Sequence, residues 1–161
     1  MLGDVDSFLK RVFDALGKDG IDVSNSKLDH VCYRVETSER YDEMKQKLAS
    51  QGELLVEAEV GGRLIATYKL KHPILYGNRK IECVELPSPK KGTDYLEGLE
   101  HAEFVIEVSF EEFMRTYPLV SFDTSALSKS VNPDVRVQYA GFSVKFHRES
   151  LENVIAKEQG R

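Results

Sequence analysis

Tryptophan is missing from this chain and cysteine nearly so: 161 residues hold no Trp, two Cys and five Pro. Two cysteines, Cys32 and Cys83, cannot make a disulfide scaffold. Both fall in apolar, strand-like runs, so the expectation is reduced core thiols in a cytoplasmic protein. No apolar run approaches the roughly 20 residues a membrane-spanning helix needs. The first residues, Met1-Leu-Gly-Asp-Val-Asp6, lack a basic stretch ahead of an apolar one. Positive charge is also short. Twenty-seven acidic side chains against 22 basic ones leave a net charge of −5, which offers no broad basic face to a phosphate backbone. Membrane and nucleic acid are therefore not expected partners. What remains is 41% hydrophobic and 30% charged, the profile of an ordinary globule, expected to form one domain over residues 1–161.

Phe8, Leu9, Val12, Phe13 and Leu16 recur at helical spacing behind Asp4 or Asp6. They predict an amphipathic helix over 3–19 that stops at Gly17 to Gly20. A first module over 27–87 follows with the order β-α-β-β-β. Its strands are Leu28 to Val35, Leu54 to Val60, Leu64 to Leu70 and Ile81 to Leu86, and its helix carries Tyr41, Met44 and Leu48. Gly61-Gly62 suits a tight hairpin. Pro73, Gly77 and Asn78 mark a loop, where His72 is expected in solvent, and Ser88 to Asp94 form a polar linker.

The second module, 98–160, opens with a strand from Leu99 to Val108. A capped helix at Ser109-Phe-Glu-Glu112 follows, with Phe110, Phe113 and Tyr117 inward. Strands are also expected near Leu119–Phe122 and Ala126–Val131. A hairpin around Gly141 and a closing helix with Leu151, Val154 and Ile155 complete it.

The halves repeat. Leu28-Asp-His30 matches Leu99-Glu-His101 and Ser38 matches Ser109, at one constant offset. If the halves pack as a pseudo-dimer, His30 approaches His101, and Glu85 approaches His147 from the two last strands. Imidazole and carboxylate are ligands for Zn, Ni, Mn or Fe(II), so His30, Glu85, His101 and His147 are the candidate metal set. Each also has an ordinary reading: a hydrogen-bonded core histidine, a local Asp29-His30 or Glu100-His101 charge pair, a solvated strand end at Glu85. Those readings leave unexplained why both halves place histidine at the same point. Cys83 shares the face of Glu85 and is either a thiol beside the metal or a buried core residue. Arg63 and Lys69 share one strand face, and either hold an anionic ligand or form an outer charged surface.

Asp29-His30, Gly62-Arg63 with Tyr68-Lys-Leu70, Val84-Glu-Leu-Pro-Ser-Pro89, Glu100-His101, Asn132-Pro133, Lys145-Phe-His147 and Leu151 to Gln159 together resemble the YecM-type family. That family is similar to the vicinal oxygen chelate superfamily of glyoxalase I, extradiol dioxygenases and bleomycin-resistance proteins. The resemblance implies an α+β fold of paired βαβββ modules whose mixed sheet cups a divalent metal. Carried over by position, the ligands are His30, Glu85, His101 and His147, with a histidine where glyoxalase-like members often have a carboxylate.

The expected function is metal-dependent isomerase, lyase or oxygenase chemistry on a small oxygenated, anionic molecule. Glu85 or His147 is the candidate proton-transfer group, with Asp29 and Glu103 as orienting partners of the ligands. The alternative is a ligand-sequestering module that uses the cup without turnover. Nothing in the sequence chooses between monomer and homodimer. Histidine ligands imply a metal affinity that falls below about pH 6.5.

Overall fold

A computed structural model describes residues 1–160. Helix α1, Val5–Lys18, is capped by Asp4, whose carboxylate accepts from the Ser7 amide at 2.9 Å. Next come β1 (Lys27–Arg34), α2 (Ser38–Gln51), β2 (Gly52–Val60), β3 (Arg63–Tyr76) and β4 (Arg79–Pro87). The second half comprises β5 (Gly98–Val105), α3 (Phe110–Thr116), β6 (Asp134–Tyr139), β7 (Phe142–His147) and α4 (Leu151–Glu158). The fold is mixed α+β, as the resemblance implies.

All seven strands form one sheet in the order β2-β3-β4-β1-β5-β7-β6. In each half the first strand lies parallel to the last, β1 to β4 and β5 to β7, while β1 and β5 meet antiparallel at the centre. That antiparallel seam is the local two-fold axis of the repeat. Helices cover one face of the sheet through aromatic contacts, Phe13 against Phe104 at 5.8 Å and Phe113 against Phe146 at 4.6 Å. The other face curls around a cavity of about 520 Å³, with Leu151, Val154 and Ile155 of α4 over one side.

Gly52 joins α2 to β2 without a loop, and only glycine fits there, since a Cβ would lie 2.5 Å from the Lys69 carbonyl oxygen. Gly61 and Gly62 make the β2–β3 turn with φ of +60° and +82°, the pair of left-handed residues that a two-residue hairpin requires.

Two expectations are corrected. The predicted strands near Leu119–Phe122 and Ala126–Val131 are absent, so the second half has three strands where the first has four. A single bridge, Asp123 to Arg136, and a short 3-10 turn over Ser125–Ser128 stand in their place. The Asp123 side chain takes the Ser125 amide at 2.9 Å, and such side-chain turns compete with strand pairing. The expected loop at Pro73 is instead a bulged continuation of β3, which re-pairs with β4 from Ile74 onward. His72 is exposed there. Among the described residues no helix is long and apolar enough to cross a membrane.

Candidate metal centre

Strand register decides which side chains share the cup. The β1–β5 pairing sets His30 opposite Glu103 and Cys32 opposite His101, and the β1–β4 pairing sets Cys32 opposite Glu85. Residues directly opposite point to the same face. Alternation therefore gathers His30, Cys32, Glu85, His101 and Glu103 around the two-fold axis. His30 and His101 stand inside β1 and β5.

Distances show convergence on one carboxylate oxygen. Glu103 Oε1 lies 3.2 Å from His101 Nε2 and 3.4 Å from His30 Nε2, and Glu85 Oε2 lies 3.6 Å from His101 Nε2. The opposite edge of each imidazole is held by the residue before it. Asp29 Oδ2 is 2.9 Å from His30 Nδ1, and Glu100 Oε2 contacts His101 Nδ1. A carboxylate can only accept, so Nδ1 carries the proton in both pairs. With Nδ1 so committed, Nε2 of a neutral ring presents its lone pair to the centre.

The charges are tightly coupled. Burial opposes protonation of His30, but the carboxylates of Glu103, Asp29 and Glu85 outweigh it and raise its pKa to about 10. His101 also rises well above its usual value, as Cys32 and Glu100 overcome its burial. The partners move the other way. Burial would raise Glu100, but His101 and Arg34 hold it near 2. The histidines and Lys145 likewise hold Glu103 well below the ordinary carboxylate range despite burial. The metal-free centre is thus a self-neutralised cluster of imidazolium and carboxylate.

These residues fit a divalent metal. His30 Nε2, His101 Nε2 and Glu103 Oε2 are buried without a hydrogen-bond partner, a costly state that a cation relieves. His30, Glu85, His101 and Glu103 each offer a ligand atom, all within 4.8 Å of one another. Two imidazoles and two carboxylates are a donor set for Zn, Mn, Ni or Fe(II).

The structure distributes the expected site residues unevenly. His30, Glu85 and His101 come together, but the fourth member of the quartet is Glu103, which was expected only to orient a ligand. His147 instead joins Asp29 and His30 in a neighbouring buried group, with its Nδ1 3.0 Å from Asn132 Oδ1 and its Nε2 3.6 Å from Asp29 Oδ2. Burial chiefly lowers its pKa. Asp29 takes the expected place behind His30. Cys83 is buried next to His30 in the β1–β4 pairing, and burial pushes its thiol up to about 12. Arg63 lines the cavity; Lys69 is engaged elsewhere, 2.8 Å from Glu152 of α4. Sequence reasoning missed Glu100 as the orienting partner of His101. It read Glu103 as an orienting group and not as a candidate ligand, although the alternation that paired Cys83 with Glu85 places Glu103 on the face of His101.

A family model described as YecM protein matches residues 1–158. The chain belongs to the YecM family. The YecM protein of Escherichia coli strain K12 is 29% identical over 180 residues, covering 98% of this chain and 94% of that one. The solved structural-genomics protein EC4020 superposes with a TM-score of 0.79 at 26% identity, over 98% of this chain and 91% of its own. The methylmalonyl-CoA epimerase of Streptomyces coelicolor, solved with 2-nitronate-propionyl-CoA, gives a TM-score of 0.57 over 78% of this chain and 98% of its own. At 12% identity that likeness is one of fold. It places this YecM-family chain in the vicinal oxygen chelate architecture.

Proposed function

We propose that this YecM-family chain is a cytoplasmic, divalent-metal-dependent enzyme of the vicinal oxygen chelate type, acting on a small oxygenated, anionic molecule held in the cup. The observation that carries the reading is the convergence of His30, Glu85, His101 and Glu103, three of which, His30, His101 and Glu103, hold a buried polar atom without a hydrogen-bond partner. When bound, the metal would supply Lewis acidity to two neighbouring oxygens of the substrate.

The chain's own residues divide the remaining work. Asp29 and Glu100 fix the ring orientation of His30 and His101. Glu85 has the most exposed side chain of the quartet, 18% against 6% or less for the others, and faces the cavity. It is therefore the group placed to take a proton from bound substrate. His147 is fully buried and does not line the cavity, so that role falls to Glu85 alone. Isomerase, lyase and oxygenase chemistry all begin from such an arrangement.

The test is metal content by mass spectrometry on protein purified without chelators, beside a His30→Ala/His101→Ala double variant. Near-stoichiometric metal in the wild type and none in the folded variant is the expected result. A wild type that takes up neither Zn, Ni, Mn nor Fe(II) on incubation overturns the reading.

A further inference from the structure

The two halves depart from their symmetry on their last strands. In the first half, Glu85 on the last strand lies opposite Cys32, two residues beyond His30. In the second half, the equivalent residue on β7 lies opposite Glu103, two residues beyond His101, and that residue is Lys145. A cation thus stands where the first half presents a carboxylate. Its side chain is 12% exposed, lines the cavity, and has Nζ 3.5 Å from Glu103 Oε1.

A second cation faces it. Arg136 on β6 is the direct partner of Lys145 in the β6–β7 pairing, on the same face, and it too lines the cavity. Like charges directly opposite on neighbouring strands are destabilising. Among the described residues only Glu103 pairs with either of them, and it is shared with the two histidines. Asp134 is taken by Lys129 at 3.0 Å, Glu100 lies 3.5 Å from Arg34, and Arg136 enters no ion pair among the described residues. If a divalent metal engages neutral His30 and His101 with ionised Glu85 and Glu103, those five groups sum to zero charge. With Glu103 committed to the metal, Lys145 and Arg136 have no other ion-pair partner among the described residues, and both line a concave space where an anion gains from them.

We propose that Lys145 and Arg136 form an oxyanion subsite, which takes a carboxylate or phosphate group of the substrate beside the metal centre. This rests on the reading of the cup as the substrate site and assigns the chemistry of its ligand: a molecule with one oxyanionic group for the two cations, besides the oxygens presented to the metal. Lys145 in the fourth-ligand position makes Glu103 the second half's carboxylate.

Isothermal titration of the metal-loaded protein with malonate, with inorganic phosphate and with neutral malonamide tests the subsite. Malonate or phosphate is expected to bind, and which one does identifies the group; malonamide is expected not to bind. Arg136→Gln and Lys145→Met should each weaken anion binding by about tenfold or more with metal content unchanged, while Lys145→Arg keeps most of the affinity. Arg136 is partly exposed, so its variant reports even if Lys145→Met does not fold. Anion affinity unchanged in both variants, or no affinity for either anion in the wild type, overturns the subsite. Metal content on the same samples separates the two claims. Anion binding through Arg136 and Lys145 without metal uptake removes the enzyme reading alone, and metal uptake without anion binding removes the subsite alone.

Discussion

Asp29 and Glu100 occupy the same position of the fold in its two halves. Each is the extra residue at a register shift in the β1–β5 seam, and each holds Nδ1 of the histidine that follows it. The bulge turns two consecutive residues toward one face, which regular alternation forbids. A carboxylate can therefore reach the back of its own neighbour's ring.

Glu100→Gln and Asp29→Asn should each weaken metal binding by about tenfold or more, since both loosen a ligand's orientation and tautomer. Competition against a chromogenic chelator measures it. Asp29→Asn should also lower thermal stability more than Glu100→Gln, because Asp29 Oδ2 additionally accepts the Leu151 amide at the start of α4. Unchanged affinity in both variants removes their orienting role.

Glu103 and His147 make opposite predictions about the fourth ligand. Glu103→Gln should lose most bound metal, as should His101→Ala, whereas His147→Asn should retain it, because His147 lies in the neighbouring group with Asp29. Metal retained in Glu103→Gln and lost in His147→Asn would restore the ligand set expected from the repeat.

The pH dependence follows from the raised histidines. A group whose pKa is raised on folding adds stability that is fully present below its unfolded value and is lost as pH climbs through its folded value. For His30 that window runs from 6.5 to about 10. Metal-free protein should accordingly melt at progressively lower temperature between those limits. Metal affinity should keep rising across the same range rather than levelling off above about pH 6.5, as unperturbed imidazoles would require. A flat affinity profile there counts against His30 and His101 as ligands.

Cys32 and Cys83 are both unpaired and buried, and Cys83 is held as thiol by a pKa near 12. Neither should react with iodoacetamide in the folded protein at about pH 8, and both should react after denaturation. Mass spectrometry of the alkylated peptides decides; labelling of native Cys83 would show that β4 opens on the time scale of the reaction.

Much of the fold was legible because its signals are local. The periodicity of Phe8 to Leu16, the Gly61-Gly62 turn and the Ser109 and Ser150 caps each act within a few residues and appear as read. The failures were also local competitions. Around Asp123 and Ser125, polar side chains satisfy the backbone themselves, and a strand pattern in the sequence yields to a turn.

The sequence by itself determined that the chain is a repeat with His30 and His101 at equivalent points, because duplicated strands carry duplicated residues at a fixed offset. Which carboxylate stands nearest both histidines is settled only in the folded chain. Alternation assigns a side chain to a face, but height along that face depends on register between strands far apart in sequence. Pairing sets Glu103 level with His30 and Lys145, and sets His147 two pairs further along, opposite Val105. That step of two residues is close to 7 Å, and it groups His147 with Asp29 and His30, its Nδ1 3.4 Å from Glu103 Oε2, rather than with Glu85 and His101.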